Sequence, residues 1–94
     1  MKITVNQWHI DHGIAADCQK CPVALALFEQ TRVPWNVSFE SFKKGGGTIA
    51  YFGRLTIELP AVVGRWIYDF DSPETADGLR KPEPFSFDFN WSPA

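Results

Sequence analysis

Hydrophobic and polar positions change their period several times along the chain, and each change marks an element. Gln7 to His12 reads as a short amphipathic helix of two turns. Thr4 or Asn6 can cap it, and Gly13 stands where a left-handed residue would end it. A second start follows, with Asp17 and then Pro22, a residue favoured in the first turn, leading into Val23-Ala24-Leu25-Ala26-Leu27-Phe28-Glu29-Gln30-Thr31. Val23, Ala26 and Leu27 recur at spacings of three and four, and Leu25 and Phe28 widen the stripe. A stripe that wide predicts a helix largely buried on a sheet, with Pro34 enforcing its break.

From Trp35 the period becomes two. Trp35, Val37, Phe39 and Phe42 alternate with Asn36, Ser38 and Glu40, as in a half-buried strand. Gly45-Gly46-Gly47 reads as a turn, and Thr48 to Leu59 as the returning strand of an antiparallel hairpin. Leu55, Ile57 and Leu59 share one face of it, and Gly53 marks a bulge or a close crossing. Pro60 opens a third helix, in which Val62, Val63, Trp66, Ile67 and Phe70 form the core stripe through Asp71. Gly64 weakens that helix by ~1 kcal/mol relative to Ala. The polar, proline-rich stretch from Asp71 to Pro84 is a loop long enough to carry function. Phe85 to Trp91 alternates strictly and reads as the last strand. The expectation is an α+β fold of order α-α-β-β-α-β, a three-stranded antiparallel sheet with helices packed on one face, in a single domain spanning 1–94.

Composition narrows the function classes. The 94 residues are 45% hydrophobic and 15% aromatic, enough to fill the core of one small domain but not to house a large catalytic cavity. A net charge of -2 argues against direct nucleic-acid binding, which needs a surplus of Lys and Arg. No stretch approaches the roughly 18 apolar residues of a membrane span, and the start does not read as a secretory signal. Two cysteines are too few for a disulfide framework, so reduced thiols in a cytoplasmic compartment are expected.

Cys18-x-x-Cys21, with His9 and His12 upstream, invites a zinc reading. The spacing argues against it, because only two residues separate the histidines where three to five are usual. A redox reading draws on the helix that follows Pro22, but redox pairs of this kind lie between a strand and a helix, and nothing before Cys18 reads as a strand. The plain alternative is Cys21 packed as a small hydrophobe with Cys18 at a helix start. No serine elbow, phosphate loop or carboxylate pair with a histidine base is present, so neither an enzyme nor a cofactor is expected.

The charge map says more. Asp69, Asp71, Glu74, Asp77 and Glu83 cluster in one segment against only Arg80 and Lys81. Such a segment can steer toward a basic partner surface, including one that otherwise binds nucleic acid, and it can equally be a solvated loop.

Three stretches carry a resemblance: His9-Ile10-Asp11-His12-Gly13; Asp17-Cys18-Gln19-Lys20-Cys21-Pro22-Val23-Ala24-Leu25-Ala26-Leu27; and Trp66-Ile67-Tyr68-Asp69-Phe70-Asp71 with Pro84-Phe85-Ser86-Phe87. Together they resemble a family of small proteins encoded by tailed phages and prophages, over most of the chain. The chain departs from that pattern in the stretch between Phe70 and Pro84 and in its triple glycine. By size and acidity it is also similar to anti-CRISPR proteins, without a shared motif. The resemblance implies a non-enzymatic inhibitor in the host cytoplasm. Its partner would be a host protein complex such as a Cascade-type CRISPR effector subunit, engaged through Asp69, Asp71, Glu74, Asp77 and Glu83. The alternative is a small zinc or redox module on Cys18 and Cys21.

Overall fold

A computed structural model describes residues 1–14, 17–39, 47–71 and 83–91. The order is β1 (Lys2–Val5), α1 (Gln7–His12), α2 (Pro22–Thr31), β2 (Asn36–Phe39), β3 (Thr48–Phe52), β4 (Leu55–Leu59), α3 (Ala61–Asp71) and β5 (Phe85–Asp88). The fold is α+β with antiparallel strands, but in two small sheets, β2-β3-β4 and β1-β5.

This corrects the expected order in two places. Lys2–Val5 is a strand, and β5 pairs with it rather than joining the three-stranded sheet. The pairing places Ile3 and Val5 opposite Phe87 and Phe85 in the interior, while Lys2 and Thr4 face Asp88 and Ser86 on the solvated side. Thr4 is therefore a strand residue, and Asn6 alone caps α1. The Gln30 side chain closes the outer edge of β1: its Oε1 accepts the Thr4 N–H at 2.9 Å and its Nε2 donates to the Thr4 carbonyl at 2.7 Å. A side-chain amide thus does the work of a neighbouring strand on an edge that would otherwise be exposed.

The second correction is at Gly53. Thr48 to Leu59 is itself a hairpin, with Phe52 paired to Leu55 across Gly53-Arg54. Gly53 has φ +59, and nothing lies within 4 Å of where its Cβ would be, so it supplies turn geometry rather than a bulge or a close crossing. Positive φ at the first central residue only is the sign pattern of a II′ turn, whose twist matches the strands it joins. The register puts Val37, Ala50 and Ile57 on one face, the core side, and Asn36, Tyr51 and Thr56 on the other.

The helices follow their local signals with three adjustments. Cys21 caps α2, Pro22 fills its first turn, and left-handed Arg32 (φ 64) ends it before Pro34 can. Gly13 is extended (φ -73) rather than left-handed, and its lack of a side chain serves packing instead, since a Cβ there would meet the Pro22 ring at 2.5 Å. In α3, Val63 and Trp66 are buried while Val62 lies exposed. A contiguous core joins Ile3, Val5, Ile10, Val23, Leu27, Trp35, Val37, Ala50, Leu59, Val63, Trp66, Phe87 and Phe89, drawing on both sheets and all three helices.

Candidate functional site

The expected acidic site is described at its two ends. Asp69 is exposed on α3 and Asp71 is that helix's last residue; Glu83 is exposed just before β5. Glu74 and Asp77 lie outside the described residues, as do Gly45, Gly46 and Phe42. The two described ends are fastened to each other. Trp66, one helical turn before Phe70, donates its indole N–H to the Glu83 carbonyl at 2.8 Å. Its ring stacks on Phe85 at 4.8 Å and on Phe70 at 5.6 Å. The chain therefore leaves α3 and re-enters β5 over a single aromatic stack.

The electrostatics of α3 run against its own stability. Asp69 and Asp71 occupy the last turn, which holds no basic residue. A helix C-terminus carries partial negative charge, so the exposed Asp69 carboxylate is disfavoured there by about 0.3–1 kcal/mol. Tyr68, 72% exposed, stands beside Asp69, and an aromatic so placed is a common interface anchor.

The histidines and cysteines are engaged separately. His9 is fully buried: its Nδ1 accepts the Asn6 N–H at 2.9 Å, so Nε2 carries the hydrogen and donates to Glu29 Oε1 at 3.0 Å. Asn6 returns a bond to the His9 amide, completing a capping box in which His replaces the usual Glu or Gln. Both ring nitrogens are thus committed, which removes His9 as a donor in the alternative zinc reading. His12 is exposed, stacked on Trp8 at 4.3 Å, with Nδ1 donating to the Trp8 carbonyl. Among the described residues no three His, Cys, Asp or Glu side chains are grouped to hold a metal ion.

Cys18 and Cys21 are not joined by a disulfide. They bracket a tight turn in which Asp17 Oδ1 accepts the Gln19 and Lys20 amides, each at 2.9 Å, and the Cys21 N–H reaches the Asp17 carbonyl at 3.0 Å. Cys21 Sγ accepts the Ala24 amide at 3.4 Å as the cap of α2, and the Cys18 carbonyl accepts the Val37 amide of β2 at 2.8 Å. Beside the turn lies an open cleft of about 340 Å³ lined by Lys20, Leu25, Phe28, Trp35 and Phe52 among others.

Sequence reasoning missed the Glu29 partner of His9 and this cleft. Asn6-x-x-His9 signals the capping box but not Glu29, which lies 20 positions further on; the cleft is lined by residues of α2, the Pro34–Asn36 stretch and Phe52, and left no sequence signal. No protein-family model, curated protein or solved structure matches the chain.

Proposed function

We propose that the chain is a non-enzymatic binding protein whose acidic segment, Asp69 to Glu83, occupies a basic, nucleic-acid-binding surface on a host defence complex, in the manner of an anti-CRISPR protein. The observation that carries this reading is the Trp66–Glu83 bond, which holds both ends of the acidic segment over one aromatic stack. A segment closed at its base loses less conformational freedom on binding than a strap with loose ends. An exposed carboxylate, Asp69, kept in the last turn of α3 at a cost to the helix also suits a surface that serves a partner. The similarity in size and acidity to anti-CRISPR proteins supplies the class of partner. The test is affinity capture of the tagged chain from a phage-host lysate at low and moderate salt. Recovery of a nucleic-acid-binding defence subunit, lost as salt rises, supports the reading. Its retention by a chain reversed in charge at Asp69, Asp71, Glu74 and Asp77 overturns it.

A further inference from the structure

We propose that Cys18 and Cys21 form a reversible dithiol–disulfide site, oxidised by a small anionic peptide disulfide that docks in the adjoining cleft. Residues three apart in one helical turn lie about 5–6 Å apart at Cβ, and a disulfide needs about 3.5–4.5 Å. The Asp17–Cys21 turn, closed by the Cys21 N–H on the Asp17 carbonyl at 3.0 Å, holds the two cysteines three positions apart within one such turn.

Exposure assigns the order of events. Cys18 is exposed and Cys21 is buried, so Cys18 is the thiol an incoming disulfide can reach and Cys21 the one that resolves the adduct. The Cys18 thiolate attacks one sulfur of the disulfide, forming a mixed disulfide and expelling one thiolate. The Cys21 thiolate then attacks the Cys18 sulfur, forming the internal bond and expelling the second. The two protons lost by the protein end on the two released thiols, so two protein thiols are oxidised and one disulfide is reduced.

The cleft supplies the second, independent observation. Gln19 and Lys20, the residues between the cysteines, line it together with Leu25, Phe28, Trp35 and Phe52. A largely apolar lining that includes the Lys20 ammonium suits an organic disulfide that carries carboxylates, and among the described residues Lys20 is the only charged side chain lining it. Closing the bond would also redirect the sulfur that caps α2 and shift the turn bonded to β2, so oxidation reaches the structure on both sides of the cleft.

The test uses oxidised glutathione as the probe, followed by alkylation of remaining thiols and intact-mass measurement. The wild-type chain should lose two hydrogens and retain no glutathione. Cys21→Ser, in which serine is itself a good cap, should hold glutathione on Cys18, and Cys18→Ser should not react. Lys20→Glu should slow oxidation by about fivefold at low salt while leaving the rate with uncharged hydroxyethyl disulfide unchanged. Glutathione retained by the wild-type chain, or Cys21 still alkylated after Cys18 is oxidised, would overturn the disulfide site. Equal slowing of both probes by Lys20→Glu would overturn the role of the cleft.

Discussion

The indole N–H of Trp66 donates to the backbone carbonyl of Glu83 at 2.8 Å, joining the last helix to the chain that enters the last strand. Trp66→Phe removes that donor and keeps a ring in the stack. A lost hydrogen bond of this kind costs about 0.5–1.5 kcal/mol. Amide hydrogen exchange at Glu83 and Phe85 should accelerate, and partner retention should weaken although no charge has changed. Unchanged exchange would mean that the bond does not hold the segment.

Asp69→Asn should stabilise the fold while it weakens partner binding. Removing a carboxylate from the last turn of α3 relieves repulsion worth about 0.3–1 kcal/mol at low ionic strength, and salt screens it. Urea denaturation at low and high salt checks both the sign and its loss. A destabilised variant would show that Asp69 has a structural partner.

Gly64→Ala opposes helix propensity to packing. Propensity favours Ala by about 1 kcal/mol, but a Cβ at Gly64 would lie 2.5 Å from Thr48 Oγ1, on a buried and β-branched residue with little rotamer freedom. Overpacking of this kind costs about 1–3 kcal/mol, so the single variant should be less stable. In a Thr48→Ala background the same change should become neutral or stabilising. A double-mutant cycle by chemical denaturation measures the difference.

His9→Ala and Glu29→Gln should separate burial from charge. The alanine empties a fully buried site and removes the acceptor of the Asn6 amide, a loss of about 2–4 kcal/mol. The glutamine keeps an acceptor for Nε2 on an exposed side chain and should lie within about 0.5 kcal/mol of wild type. Thermal denaturation of both variants checks the contrast.

These residues also show what was legible beforehand. Pro22, the Val23–Leu27 run and the Phe85–Trp91 alternation carry their signals locally: α2 appears where its signals place it, and β5 starts at Phe85 but ends at Asp88, short of Trp91. The first strand was hidden because Ile3 and Val5 offer only two alternating positions, and Thr4 also suits a cap. Gly53 was ambiguous because a turn and a bulge both favour glycine, and only pairing of Phe52 with Leu55 decides between them. The acidic segment is visible as composition, but its closure is not. Trp66 and Glu83 are 17 positions apart, and their bond depends on the stacking of α3 against β5.

The most direct measurement of the central claim is parallel capture by the wild-type chain and by a variant with Asp69, Asp71, Glu74 and Asp77 changed to Lys, each first shown to be folded. Retention of a nucleic-acid-binding host subunit by the wild-type chain alone, falling with salt, is the predicted result. Equal retention by both chains would contradict an acidic binding surface.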